Sequence, residues 1–497
     1  MRKGKPSDYA LRITHYPLGS QMTEYEAVIG MEVHAELLTK SKMFCACTSD
    51  FGGEPNSRTC PVCLGLPGSL PVANKLAVEY VMRAALALNC EINAYSVFHR
   101  KNCFYPDMVK NYQISQYDYP IGVNGCIEIT VDGITKPIRI RRVHLEEDTG
   151  KLIHTGTDES LVDYNRSGVP LMEIVSEADI RSADESREYL VRLRAILTYL
   201  GVNDGKMEEG SLRCEPNISI RQKGTEKFGT KTELKNLNSF RAVYRGIDYE
   251  IERQEKALQG GGRIIQETRR WDDLRGVTAS MRTKEFEQEY RYFPDPDLVP
   301  MNFSEQDIEA QRRGLPELPE AKKERFVAEY GIPAYDAEIL TNTRAFADFF
   351  EETVKLFPEP KTVSNWMMGE FTRLLNAAGI EVTESRIRPK DLAGLLKMIS
   401  DGVISGKIAK TIFDEMFETG KSPEEIVKAK GMTQVTGEAE LYPVVDQVIA
   451  ENPDVVAKIA AGDAKAMGFL VGQIMKYTQG RANPQVVNKL LRERLAQ

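Results

Sequence analysis

The sequence predicts an α+β protein, with a strand-rich N-terminal domain followed by all-helical domains. Alternating apolar and polar stretches are concentrated before residue 315, and helical periodicity dominates after it. The junction Leu315-Pro316-Glu317-Leu318-Pro319 carries two helix-breaking prolines. A chain of 497 residues is long enough for two to four domains.

The first predicted strand lies between Glu26 and Thr39. Apolar residues occupy every second position from Ile29 to Leu37, and Glu32, His34 and Glu36 fill the positions between them. This alternation is typical of a strand with one face on a core. Two carboxylates around an imidazole on the other face suit a metal ion or a phosphate, whereas the plainer alternative is a solvated strand with chance charges.

The following elements are predicted in chain order from periodicity and turn residues. They are a helix over 74–87, a hairpin over 126–146 turning at Asp132-Gly133, a helix over 184–200 ended by Gly201, strands over 212–220 and 232–237, and a helix over 242–258 closed by Gly260-Gly261-Gly262.

We divide the chain into four parts. Residues 1–22 form a polar extension, 23–315 a strand-rich domain, 316–430 a helical domain, and 431–497 a small helical tail domain with a break near Lys430-Gly431-Met432. Basic residues crowd the tail, which suits nucleic acid or a solvated surface: Lys476, Arg481, Lys489, Arg492 and Arg494.

Composition indicates a soluble, cytoplasmic protein. No apolar run approaches the ~20 residues of a membrane helix, and no apolar segment of a signal peptide follows the basic N-terminus. The net charge is −8, so any nucleic-acid contact must depend on local groups of basic residues.

Four cysteines form two close pairs, Cys45 with Cys47 and Cys60 with Cys63, separated by twelve residues. Two such pairs can hold a structural zinc ion in a knuckle inserted near 45–63, and four thiolates would close its coordination shell. The alternative is four free thiols, because a reducing compartment disfavours disulfides.

Acidic residues end a second predicted strand at His144-Leu-Glu146-Glu147-Asp148. Successive acids repel one another unless a cation lies between them. Alternation places His144, Glu146 and Asp148 on one face and Glu147 on the other, so periodicity leaves open which acid is functional.

Two later strands also carry polar faces. Ser211 and Arg213 share a face with Glu215, Asn217 and Ser219, and Glu233 and Lys235 share one on the next strand. A sheet lined with acids, amides and bases offers oxygen ligands for Mg²⁺ and cations for the phosphates of ATP. The sequence contains no phosphate-loop, dinucleotide-loop or nucleophile-elbow motif.

Long motifs over residues 24–497 resemble the B subunits of the aspartyl/glutamyl-tRNA amidotransferases. They include Ile-Gly-Met-Glu32-Val-His34-Ala-Glu36-Leu, Arg100-Lys101-Asn-Cys-Phe-Tyr105-Pro-Asp107, His144-Leu-Glu146-Glu147-Asp148-Thr-Gly-Lys151, Met207-Glu-Glu-Gly-Ser-Leu-Arg213-Cys, Glu233-Leu-Lys235-Asn-Leu-Asn238-Ser239 and Met467-Gly-Phe-Leu-Val-Gly-Gln473.

The resemblance implies a cradle domain related in fold to glutamine synthetase and a tail domain that binds tRNA. It implies a ligase that uses ATP to phosphorylate the side-chain carboxylate of misacylated Glu-tRNA(Gln) or Asp-tRNA(Asn). Ammonia from the amidase partner, known as the A subunit, then displaces the phosphate, and a small C subunit completes a heterotrimer.

The resemblance also implies that Glu32, His34, Glu147 and Glu233 hold Mg²⁺, with Glu147 catalytic. Because imidazole is an unusual ligand for Mg²⁺, His34 could instead orient a bound water. As contacts to phosphate or acyl group we add Arg213 and Lys235 as catalytic residues, and Ser211 and Asn238 as nucleotide-binding residues. Two other functions are compatible with this acidic face: a stand-alone metal-dependent phosphohydrolase and a non-enzymatic tRNA-binding protein.

Overall fold

A computed structural model describes residues 24–156, 158–283, 290–431, 438–460, 466–478 and 482–495. The predicted N-terminal extension, Met432 and Arg481 lie outside these residues. The chain divides into two compact units, which meet in sequence at Leu315 and Pro316. Each unit is described by itself.

The first unit contains the strands. Their bounds are β1 Tyr25–Glu36, β2 Glu91–Ile92, β3 Tyr95–Ser96, β4 His99–Asn102, β5 Tyr112–Ser115, β6 Gly122–Val131, β7 Ile134–Glu147, β8 Lys151–His154, β9 Ser160–Asp163, β10 Pro170–Ser176, β11 Leu212–Gln222, β12 Thr232–Lys235, β13 Glu267–Asp272, β14 Val277–Thr283, β15 Phe293–Pro294 and β16 Met301–Asn302.

Nine of the described strands form one mixed sheet in the order β14-β13-β12-β11-β1-β10-β7-β6-β2. The first predicted strand is β1, at its centre, where Ile29, Met31 and Val33 are almost fully buried. The predicted hairpin is β6–β7. Asp132 and Gly133 turn it with positive φ angles of 51° and 76°, as a two-residue hairpin turn requires.

Four helices of the first unit are α1 Lys75–Ala87, α2 Ala183–Tyr199, α3 Phe240–Gln259 and α4 Glu305–Arg313. Asn74, Ser182 and Ser239 cap the first three by accepting backbone N–H groups. These three helices contact β7, β6 and β11 of the sheet. They cover its apolar face and leave the polar residues of the central strands on the opposite face.

The second unit is helical in its described parts. Its helices are α5 Pro319–Tyr330, α6 Ala334–Leu340, α7 Arg344–Leu356, α8 Pro360–Trp366, α9 Thr372–Ala378, α10 Pro389–Ser400, α11 Gly406–Thr419, α12 Pro423–Lys430, α13 Glu438–Glu451, α14 Pro453–Ala460, α15 Ala466–Tyr477 and α16 Pro484–Leu495.

Two separate hydrophobic cores lie in this unit. One spans buried residues from Phe326 to Val427, and the other spans buried residues from Leu441 to Leu491. The α+β class, with a strand-rich domain before a helical region, is therefore confirmed. Among the described residues, no helix is both long and apolar enough to cross a membrane.

Candidate active site

Charged side chains cover one face of the nine-stranded sheet. His144 of β7 pairs in register with Glu173 of β10, which pairs with His34 of β1, and His34 pairs with Arg213 of β11. Side chains at paired positions point to the same face. The sheet thus brings residues that are far apart in sequence into one polar row.

Three carboxylates and two imidazoles form a compact cluster around this row. The Nε2 atom of His34 lies 3.5 Å from a carboxylate oxygen of Glu173, 3.7 Å from Glu146 and 3.8 Å from Glu32. The Nε2 atom of His144 lies 3.3 Å from Glu173 and 3.7 Å from Glu146. We call these five residues the acid cluster.

Burial makes the charges of the acid cluster interdependent. Burial alone lowers the pKa of His34, but the hydrogen bond and charge of Glu173, together with the charges of neighbouring acids, outweigh it and raise that pKa to about 9. Burial likewise raises the pKa of Glu173, but His144 and His34 hold it well below its usual range. Burial and the charge of Glu173 raise the pKa of Glu32 to about 7. Positive charge on the imidazoles therefore balances the buried carboxylates.

Lys101 of β4 is a further cation near the acid cluster. Burial lowers its pKa, but the charges of Glu146 and Glu173 raise it above the usual range. Its Nζ atom also lies 5.1 Å from the ring centroid of Tyr290. On β5, the hydroxyl of Ser115 donates a hydrogen bond of 3.1 Å to Glu146. The strands β4 and β5 thus contribute to the polar face from outside the large sheet.

The donor atoms of the acid cluster could hold a divalent cation. Ligand atoms of Glu32, His34 and Glu173 lie within 4.8 Å of one another, and so do those of His144, Glu146 and Glu173. Carboxylate oxygens suit Mg²⁺ or Mn²⁺, and one imidazole is compatible with Mn²⁺. The residues present therefore fit a hard divalent cation, whose binding would displace the proton of the ligating imidazole.

Basic residues lie on the same face toward β12. The Lys235 ammonium lies 2.6 Å from Glu215 and 3.3 Å from Glu233. The hydroxyl of Thr268 on β13 donates a 2.8 Å hydrogen bond to Glu233. The face therefore changes from acidic around β10 and β1 to mixed charge at β12.

The four cysteine thiols of the predicted knuckle converge. Their Sγ atoms lie within 4.8 Å of one another. The backbone N–H of Cys60 donates to Cys63 Sγ at 3.1 Å, and the buried Lys42 ammonium lies 3.8 Å from the same sulfur. Hydrogen bonds from neighbouring thiols, Cys45 first, and the charge of Lys42 lower the pKa of Cys63 to about 5. Four convergent thiols and a nearby cation fit a tetrahedral zinc ion.

Residues 27–309 match the family model of the GatB/GatE catalytic domain, and residues 348–495 match that of the GatB domain. The chain belongs to the GatB family. A relative from Carboxydothermus hydrogenoformans, named as the B subunit of an aspartyl/glutamyl-tRNA(Asn/Gln) amidotransferase, is 58% identical over 96% of this chain and 100% of its own length. Relatives of the same name from Caldanaerobacter subterraneus subsp. tengcongensis and Brevibacillus brevis are 59% and 55% identical, over 95% of this chain and 100% and 99% of their own lengths.

In this GatB-family chain the structure brings together only part of the predicted Mg²⁺ set. Glu32 and His34 meet Glu146 and Glu173, as described above. The Glu147 carboxylate pairs instead with Lys110 and accepts a 3.0 Å hydrogen bond from the Ile114 N–H. It lines a separate cavity of about 190 Å³ beside Lys42 and Cys63. Successive residues of a strand point to opposite faces, which explains why Glu146 and Glu147 separate.

The other predicted contacts are placed as follows. Arg213 Nη2 lies 2.6 Å from Asp148 on the polar face. The hydroxyl of Ser211 donates to the Lys206 carbonyl and contacts Asp204, so it supports a local turn. Asn238 is exposed between β12 and α3. Their roles in nucleotide binding stay predictions.

Sequence reasoning missed Glu173 and Lys101 as site residues. Glu173 is the only acid in the apolar run of β10, and an isolated acid between Met172 and Ile174 was the available signal. Lys101 gave no periodic signal because its strand spans only His99–Asn102. Alternation predicts that Glu146 and His144 lie on the same face of their strand, and the structure confirms this prediction.

Proposed function

We propose that this chain belongs to an ATP-dependent amidotransferase and activates the side-chain carboxylate of a misacylated tRNA. The substrate is Glu-tRNA(Gln), Asp-tRNA(Asn) or both. The product is the matching amide, Gln-tRNA(Gln) or Asn-tRNA(Asn), for use in translation. The acid cluster supports this most directly, because it lies within the residues that match the catalytic-domain model.

The chemistry requires activation of a carboxylate, which is a poor acyl donor because it lacks a good leaving group. Transfer of the terminal phosphate of ATP to the carboxylate gives an acyl phosphate, and attack by ammonia then expels phosphate. Phosphoryl transfer between anions depends on positioning and positive charge. A bound Mg²⁺ would supply positive charge at the phosphates. Glu32, His34, Glu146 and Glu173 would hold it, with Glu147 and Glu233 as further candidates from the family resemblance.

Basic residues on the same face would orient the substrates. Arg213 and Lys235 each lie beside a carboxylate, at 2.6 Å, which fixes their side chains in the face. An incoming phosphate or acyl group can exchange for part of these ion pairs. Preorganised cations of this kind stabilise developing negative charge without further reorganisation.

Partners complete the proposal. Ammonia would come from the amidase A subunit, with a small C subunit completing the heterotrimer, and the C-terminal helical tail would bind tRNA. The first unit would be related in fold to glutamine synthetase, the knuckle would hold structural zinc, and the enzyme would act in the cytoplasm.

An amidation assay tests the proposal. Purified chain with and without its partners is given ATP, ammonia and Glu-tRNA(Gln) or Asp-tRNA(Asn), and the released aminoacyl group is identified. We expect ATP-dependent amide formation with ammonia or, when the amidase is present, with glutamine. Absence of amidation by folded, assembled protein under every condition would contradict the proposal. ATP hydrolysis at the same rate with and without tRNA would instead indicate a phosphohydrolase.

A further inference from the structure

The polar face extends beyond the acid cluster in a row of opposite charge. Glu32 of β1 pairs in register with Glu215 of β11, whose carboxylate lies 2.6 Å from Lys235 of β12. Lys235 in turn pairs in register with Arg270 of β13. Four neighbouring strands thus present two acids and then two bases in one row.

Arg270 shares the polar face rather than the helix-covered face. Its neighbour Arg269 points to the other side, where its Nε atom lies 3.5 Å from Glu250 of α3. Thr268, two residues from Arg270, bonds to Glu233 on the polar face. The pairing of β13 with β14 shifts register between Thr268 and Arg269, but its parallel pairing with β12 is unbroken. That pairing sets Thr268 beside Glu233 and Arg270 beside Lys235, so Arg270 lies on the polar face.

No carboxylate among the described residues neutralises Arg270. Its side chain is exposed, and within the described ranges its guanidinium forms neither a hydrogen bond nor an ion pair with a carboxylate. Lys235 beside it is held by two acids. β13 lies between β12 and β14, so Arg270 does not sit on an edge strand of the sheet. A guanidinium that has no described carboxylate partner, inside a charged row, is suited to an anionic ligand.

The spacing of the row suits a cation–polyphosphate complex. Neighbouring strands lie ~4.8 Å apart, so the backbones of β12 and β13 are roughly 10 and 14 Å from β1. Mg²⁺ is usually bound by one or two carboxylates together with substrate phosphates. A phosphate chain that begins at the acid cluster and runs across β11 would reach the long side chains of Lys235 and Arg270.

We infer that Arg270 binds the phosphate chain of the nucleotide, on the side away from the acid cluster. This rests on the proposed function. The nucleotide then lies across β1, β11, β12 and β13, with its terminal phosphate nearest Glu32. Lys235 is held by Glu215 and Glu233. It contacts the phosphates that lie between the acid cluster and Arg270.

The test compares Arg270→Ala and Arg270→Lys with Arg275→Ala in the assembled enzyme. Arg275 is an exposed arginine in the turn that follows β13 and serves as the matched control. The dissociation constant of Mg·ADP, the KM for ATP, kcat and the dissociation constant of tRNA are measured for each variant.

We expect Arg270→Ala to raise the dissociation constant of Mg·ADP and the KM for ATP about tenfold or more, as loss of a charged hydrogen bond predicts. Arg270→Lys should recover part of the affinity. Affinity for tRNA and kcat at saturating ATP should stay within about twofold, and Arg275→Ala should behave like wild type.

Unchanged binding of Mg·ADP by Arg270→Ala would overturn the inference. So would weakened tRNA binding with unchanged nucleotide binding, since Arg270 would then contact a phosphate of the tRNA. The wild-type enzyme separates failure of the proposed function from failure of this inference. If the proposed function is wrong, the wild-type enzyme binds Mg·ADP but forms no amide.

Discussion

Glu173→Gln is the substitution that most sharply tests the acid cluster. Glu173 lies 3.5 Å from His34 and 3.3 Å from His144, and it is the carboxylate common to both candidate cation groups. Glutamine preserves its size and one hydrogen-bond acceptor but removes the charge. Loss of that charge should both lower the pKa of His34 and weaken binding of a divalent cation.

The size of the expected change follows from the raised pKa of His34. Its pKa rises from 6.5 to about 9, which corresponds to about 3.5 kcal/mol in favour of the protonated ring at ~1.4 kcal/mol per pKa unit. Burial opposes this rise in pKa, and Glu173 is the largest cause in its favour. In the variant, burial and the remaining acids act alone, so the pKa of His34 should fall by at least about one unit.

The assay is NMR titration of ring-labelled histidine in metal-free protein, which is practical because the chain has five histidines. Titration with Mn²⁺ then measures cation affinity, which should fall about tenfold or more when a carboxylate ligand is lost. Glu177→Gln is the matched control, since Glu177 pairs with Arg141 at the surface. An unchanged His34 pKa together with unchanged Mn²⁺ affinity in Glu173→Gln would refute the reasoning.

Three further predictions address other parts of the chain. Lys42→Met should weaken zinc binding about tenfold in competition with a chromogenic chelator, because Lys42 lies 3.8 Å from Cys63 Sγ and offsets thiolate charge; equal affinity would exclude that role. The family resemblance implies a catalytic role for Glu147, although the structure pairs it with Lys110 outside the acid cluster. With that role, Glu147→Gln should abolish phosphate release that depends on ATP and tRNA while the partner's glutaminase stays active; undiminished release would remove Glu147 from the reaction. Gly122→Ala should destabilise the protein by about 1–3 kcal/mol in urea unfolding, since its Cβ would lie 2.6 Å from Ala85 Cβ; unchanged stability would mean that this contact relaxes freely.

Much of the fold was readable from local patterns. The alternation around Ile29 predicts β1, the Asp132-Gly133 pair predicts the β6–β7 turn, and Gly201 predicts the end of α2. Each depends on interactions within a few residues, so the sequence contains the information. The order of strands across the sheet does not follow from such patterns, because β1 pairs with β10 and β11 far along the chain.

The site was predicted less completely for the same reason. Alternation separated Glu146 from Glu147 but could not say which face meets His34. Glu173 reaches His34 only through the pairing of β1 with β10. Its recognition therefore required the register of two strands that the sequence does not specify locally.

By itself, the sequence determined the α+β class, the polar face of β1, the pairs of cysteines and the resemblance to amidotransferase B subunits. Only the tertiary structure decided that Glu173 and Glu146 complete the group around Glu32 and His34. It also decided that Arg270 ends a charged row begun by Glu32. Periodicity fixes which side of its own strand a residue occupies, whereas the neighbours of that residue depend on long-range strand register.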